Sequence, residues 1–175
     1  MMICGQRHTD DLNLADKISQ VKEENILKNP EFHNWGSSII KGEDGKYHLF
    51  YAQMSKKIGF KSWLTDGVVS HATSDHPAGP YVHQEIVLEG RGPGHWDAYT
   101  AHNPRIKFFD GKYYLYYMST NTGDWKFTEE EFQQARSQGI PNQFRSIVRM
   151  NQRIGVAVSE NINGPWKRFD KPILE

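Results

Sequence analysis

Hydrophobic and polar residues alternate along this chain in short runs broken by Gly, Asp and Pro, a rhythm of strands and tight turns rather than of long helices. The clearest runs are written twice. DGKYHLFY at 44–51 returns as DGKYYLYY at 110–117, an offset of 66 positions. A second phrase follows each copy, SHATSDHPAGPY at 70–81 and GVAVSENINGPW at 155–166. There Ser74, Gly79 and Pro80 correspond to Ser159, Gly164 and Pro165, now at an offset of 85 positions. Two phrases repeated in the same order describe one duplicated unit, with 19 residues more between them in the second copy.

Each copy predicts four strands. In the first, small and β-branched residues at 37–41 lead into an Asp44-Gly45 turn and an aromatic strand at 47–52, followed by strands at 68–73 and 81–88. The second copy gives 104–108, 113–119, 154–159 and 166–174. A four-stranded antiparallel meander per repeat buries its faces only against neighbouring meanders, so the pattern predicts an all-β fold of the β-propeller type. The two sheets are expected to pack side by side, not to merge into one.

The extra residues of the second copy fall between Tyr117 and Ile154. Thr128 with Glu131 has the spacing of a capping box, and Gly139 then Pro141 supply a stop, which predicts one short helix at 129–138. The segment also carries Trp125, Arg136, Arg145, Arg149 and Arg153, residues suited to a lid over a polar ligand or to a solvated surface excursion.

Composition narrows the function classes. The 21 basic and 21 acidic residues leave no net charge, and no basic footprint for nucleic acid or for an anionic membrane surface is present. Cys4 is the only cysteine, so no intrachain disulfide can form and the compartment stays open. The first residues carry charges early and lack a long apolar run, and no signal peptide or membrane span is read from them. The expectation is a soluble, cytoplasmic chain, unless its natural start lies upstream.

In a propeller the chemistry belongs at the entries of the innermost strands. Aligned at the 66-residue offset, Trp35-Gly36-Ser37-Ser38 stands against Ala101-His102-Asn103-Pro104. Just upstream of the second lies GRGPGHWDAYTAHNP, which brings Trp96, Asp97, His102 and Asn103 within a few residues of one another. Trp35 and Trp96 are flat platforms for a sugar ring, or else wedges between blades. His71, on the third strand of the first copy, and His102 are candidates to bind ligand, to orient Asp97 or to help hold a metal. The bland reading of each is a buried histidine satisfied by backbone, and of Asp97 a turn cap.

The order of WGSS, DGKYHLFY, a His-Ala strand followed by GPY, WD-x4-HNP, DGKYYLYY, QRIGVAVS and GPWKR resembles the five-bladed β-propeller glycoside hydrolases, the superfamily of families 43, 62, 32, 68 and 117. The match is strongest to family-43-like sequences and runs from Asn34 to the end. The resemblance implies blade one at about 34–90, blade two at about 97–175 with an insertion at about 121–152, and residues 1–33 as an N-terminal extension. It implies a glycosidase acting on oligosaccharide or polysaccharide, with Asp97 as catalytic base or charge stabiliser and Trp35, His71, Trp96, His102 and Asn103 as substrate-binding residues. No cofactor is implied, although a divalent cation in the channel is compatible with it. The alternatives are a non-catalytic carbohydrate-binding propeller module and a protein-interaction propeller, the last with no funnel of Trp, Asp and His.

Glycosidases need two carboxyl groups about 5–10 Å apart. The first-blade aspartate usual in family 43 has no counterpart in Asn34-Trp35-Gly36-Ser37, so only Asp97 is in hand. Five repeats of this length need roughly 330 residues. The expectation is therefore an incomplete catalytic domain, a fragment of a longer product or a chain that self-associates or meets a companion half.

Overall fold

The computed structural model describes residues 18–174. The expected N-terminal extension falls partly, at residues 1–17, outside the described residues. Two separate four-stranded antiparallel sheets make up the frame. The first takes β1 (Phe32–Lys41), β2 (Tyr47–Ser55), β3 (Val68–Ser74) and β4 (Val82–Leu88) in sequential order. The second takes β5 (His102–Phe109), β6 (Lys112–Thr120), β7 (Gln152–Ser159) and β8 (Lys167–Arg168) in the same order.

The two Asp-Gly turns close their hairpins differently. Asp110 and Gly111 both have positive φ, 49° and 71°, the two-residue turn whose twist suits flanking strands, and Phe109 pairs directly with Lys112. In the first copy Lys41 pairs with Tyr47 across a longer loop, in which only Gly45 is left-handed and Asp44 Oδ1 accepts from the Lys46 amide.

Side-chain alternation decides how the sheets stack. Tyr113, Leu115 and Tyr117 of β6 and Ala157 of β7 are buried against Phe50, Val69 and Leu88 of the first sheet, forming the core between the blades. The inner strands β1 and β5 lie beside each other, and the Ile106 amide donates to Ser38 Oγ across the boundary. On the other face of the first sheet Leu49, Tyr51 and Ala72 pack beneath Leu27 and Tyr81. The opposite face of the second sheet shows Tyr114, Tyr116, Met118, Val156 and Val158 only half-buried.

The insertion between β6 and β7 holds two helices, α1 (Glu129–Gln138) and α2 (Asn142–Met150). The α1 start is the expected capping box: Thr128 Oγ1 accepts from the Glu131 amide and Glu131 returns to the Thr128 amide. The second helix was not foreseen. Pro141 does end what precedes it, but its fixed φ also prepares the entry to α2, whose N-cap it is. Phe132, Ala135 and Val148 form a second core with Leu64, Ala98 and Tyr99, so the insertion packs across the junction of the two blades. Burying Phe132 alone is worth about 2–3 kcal/mol. Arg136 adds ion pairs to Asp66 and Glu89 at 3.7 and 3.9 Å.

The last expected strand is shorter than the pattern suggested. Pairing with β7 holds at Lys167 and Arg168 and returns only as an Ile154–Leu174 bridge. The Phe169 carbonyl is taken instead by Arg91 and Trp96, and Pro172 has no amide to give.

Candidate functional site

Both inner strands are kinked at the same level. The β1–β2 register shifts between Trp35 and Ser37, and the β5–β6 register shifts between His102 and Arg105. Bulges of this kind re-aim side chains and are common beside functional sites. Gly36 and Asn103 are both left-handed, with φ of 40° and 50°. They also nearly touch, since a Cβ on Gly36 would lie 2.9 Å from Asn103 Oδ1. Any larger residue at 36 would push the Asn103 amide away.

The kinks open a cleft of about 230 Å³ where the two strands begin. Trp35, half exposed, forms one wall and meets the Phe60 ring edge-on at 5.3 Å. Trp63, Met54 and Gln152 complete the lining around His102 and Asn103. Phe60 and Trp63 come from a single 3-10 turn, Phe60–Leu64, in the loop between β2 and β3. Behind Trp35 a chain of amides fixes the start of β1. Ser70 Oγ donates to Gln53 Oε1 at 2.6 Å, Gln53 Nε2 donates to Asn34 Oδ1, and Asn34 Nδ2 donates to the Leu27 carbonyl.

His102 is the polar centre of this cleft. It is 4% exposed, packs edge-on to Trp63 at 5.5 Å, and its Nε2 has no hydrogen-bond partner among the described residues. Burial pushes its pKa down to about 4, so the ring is neutral at pH 7. A neutral imidazole nitrogen can donate to or accept from a hydroxyl, depending on tautomer.

Trp35, His102 and Asn103 are thus brought together as the sequence suggested, and the other three candidates are not. His71 lies in the core on Phe50, 4.8 Å between ring centroids, with its Nε2 2.8 Å from His48 Nδ1. His48 Nε2 in turn reaches Asp44 at 3.1 Å. Desolvation first, and His48 second, hold the His71 pKa down to about 4.

Asp97 differs most from the expectation of a catalytic base or charge stabiliser that meets the ligand. It has no exposed surface. Its oxygens accept from Arg91 Nε at 2.6 Å, from the Tyr117 hydroxyl at 2.8 Å and from Arg168 Nη1 at 3.3 Å. Arg91 and Arg168 also bond the Phe169 and Glu89 carbonyls, so this ion cluster joins the inter-blade loop to the outer edge of the second sheet. Trp96 belongs to the same joint: its indole N–H donates to the Phe169 carbonyl at 3.0 Å and its ring stacks on Tyr117. The physical reason for the placement is the pair of arginines, one of them 71 residues away, whose charges need a buried anion between them.

Met54, Phe60, Trp63 and Gln152 were missed. The FKSW spacing, which puts Phe60 and Trp63 one 3-10 turn apart, was the available signal. Among the described residues no group of three or more His, Cys, Asp or Glu side chains is arranged to hold a metal ion. No described helix is long and apolar enough to cross a membrane.

Neither a protein-family model nor a curated protein matches the sequence. Solved structures do. A family 117 glycoside hydrolase of the marine bacterium Zobellia galactanivorans superposes over 82% of this chain with a TM-score of 0.55 and 20% identity. A GH43_1 enzyme of Xanthomonas citri complexed with xylotriose covers 83% at 0.55 and 18%. A GH43 β-xylosidase/α-arabinofuranosidase from a compost microbial metagenome covers 88% at 0.54 and 19%. This chain spans about a third of the length of those structures, 34%, 34% and 38% respectively. The fold, two four-stranded propeller blades, is shared with part of each of these structures.

Proposed function

We propose that this chain binds carbohydrate in the cleft at the entries of β1 and β5 and forms the sugar-holding part of a glycosidase of propeller fold. The observation that carries the reading is the half-exposed Trp35 indole lining a pocket together with His102, whose buried Nε2 has no partner among the described residues. A pyranose or furanose ring offers an apolar face to the indole and hydroxyls to His102 and Asn103, which matches this mixture. The neutral state of His102 suits a hydroxyl ligand better than an ionic one.

Cleavage of a glycosidic bond asks for two carboxyl groups flanking it. No Asp or Glu lines the cleft among the described residues. In this reading the acids come from further blades, packed on the half-buried Tyr114, Tyr116 and Val156 face of the second sheet, or from a second copy seated there. The chain then contributes binding, orientation and the exclusion of water, and the substrate class is an oligosaccharide or polysaccharide. The absence of a lining carboxylate also favours a second reading, a non-catalytic carbohydrate-binding propeller.

An assay separates the two. The 175-residue chain is titrated calorimetrically with xylo-, arabino- and galacto-oligosaccharides and tested for release of reducing sugar. Binding without turnover by the chain alone is expected under both readings. Turnover that appears once a longer product or a companion half is supplied identifies the hydrolase, and binding that stays without turnover identifies the module. No binding to any glycan contradicts both.

A further inference from the structure

A second and larger cavity, of about 580 Å³, opens beside the inter-blade loop, where residues 93–99 face residues 121–127 of the insertion. Its walls are aromatic and basic. Trp125, half exposed, and Trp96 supply flat surface, and Lys126, Arg153 and His95 supply the polar groups. No acidic side chain lines it among the described residues. Arg153 gives one N–H to the Gln152 carbonyl, and neither it nor Lys126 has a carboxylate within ion-pair distance among the described residues. Asp124, between the lining residues Gly123 and Trp125, is exposed and does not itself line the cavity, and two further acids close in the fold are engaged elsewhere. Asp97 is held by two arginines, and Glu131 accepts from the Thr128 amide at the start of α1.

The rim is held in place from within. Asn121 donates to the Trp96 and Asn151 carbonyls and accepts from the Gly123 amide, tying the inter-blade loop, the insertion and the entry to β7 at one point. Tyr99 lines the same cavity, and its buried hydroxyl has no partner among the described residues. Gln152 borders the Trp35 cleft and Arg153, next along β7, borders this cavity.

From this geometry we infer that the larger cavity is a subsite for an anionic sugar unit, a ring bearing a carboxylate or a sulfate ester, and that the ligand of the protein is an acidic glycan. The inference rests on the carbohydrate reading of the Trp35 cleft and names the class of sugar beyond it. The indoles of Trp96 and Trp125 stack on the ring, while Arg153 grips the acid through its planar fork and Lys126 supplies a second charge. Lys126 and Arg153 line the cavity with no lining carboxylate to pair with them, and an acidic occupant would neutralise both.

The test uses matched pairs of probes. The full chain is titrated with trigalacturonate against its methyl ester, and with a sulfated galactan oligosaccharide against its desulfated form, in 50 and 300 mM salt. The wild type is expected to prefer at least one acidic member by about tenfold or more, with the preference shrinking in salt; which pair shows it identifies carboxylate or sulfate. In K126Q/R153Q the preference falls below about twofold while the thermal midpoint and affinity for the neutral partner are kept. Equal binding of acidic and neutral partners, or a preference unchanged in K126Q/R153Q, overturns the inference and leaves the Trp35 cleft standing. Acidic binding that survives Trp35→Ala but is lost in K126Q/R153Q supports the subsite while removing support from that cleft. No binding to any probe overturns both.

Discussion

Arg91 Nε donates to Asp97 Oδ1 across 2.6 Å, and the carboxylate that receives it has no exposed surface at all. Arg168 and Tyr117 complete its coordination, and both arginines are themselves mostly buried. Removing the charge from Asp97 leaves Arg168 without a carboxylate and Arg91 with only the exposed Asp170, in a low-dielectric joint. Breaking a buried pair from one side costs about 3–5 kcal/mol. Asp97→Asn is therefore expected to lose stability of that order in urea titrations. Below its lowered midpoint the variant still binds glycan with wild-type affinity. A stable Asp97→Asn protein with abolished binding would return Asp97 to the ligand.

The same joint constrains Gly155. A methyl group there would overlap the Trp96 ring, which is pinned by its bond to the Phe169 carbonyl and by its stack on Tyr117. Gly155→Ala is expected to cost about 1–3 kcal/mol by overpacking. Differential calorimetry checks it, and an unchanged midpoint would mean that Trp96 is free to move.

The repeat made most of the frame legible, because DGKYHLFY and DGKYYLYY each place a turn and an alternating strand in the same order, and those signals are local. The edges were less so. β1 begins at Phe32, not 37, because its pairing continues past the Trp35 bulge, which no propensity marks. Of the cleft, Trp35, His102 and Asn103 were legible in the alignment of the two strand entries. Asp97 had the right neighbours in sequence and different ones in space, since the residues that bury it include Tyr117, 20 residues on, and Arg168, 71 residues on. Phe60 and Trp63 reach the cleft from a loop whose path only the packed structure defines.

Stability should fall in mild acid. His71 and His102 have folded pKa values held down to about 4 by burial, against 6.5 for the free side chain. The unfolded chain therefore takes up protons that the fold refuses between these values. Their contribution is complete above pH 6.5 and is lost as pH falls towards 4, each up to about 3 kcal/mol. Urea midpoints measured from pH 7.5 to 4.5 should decline. His102→Gln should show a shallower decline than the wild type; an identical slope would contradict the burial of a neutral ring at 102.

The most direct measurement follows the Trp35 side chain itself. In ¹⁵N-labelled protein titrated with oligosaccharides, the account predicts that the indole N–H of Trp35 and the ring of His102 shift together in a saturable manner. The His48 and His71 rings, buried in the core, stay fixed. Trp35→Ala should weaken binding by about fivefold or more, the loss of one aromatic platform at roughly 1–3 kcal/mol. Saturable glycan binding that leaves Trp35 and His102 unshifted, or that persists undiminished in Trp35→Ala, would contradict the claim that the paired strand entries form the sugar site.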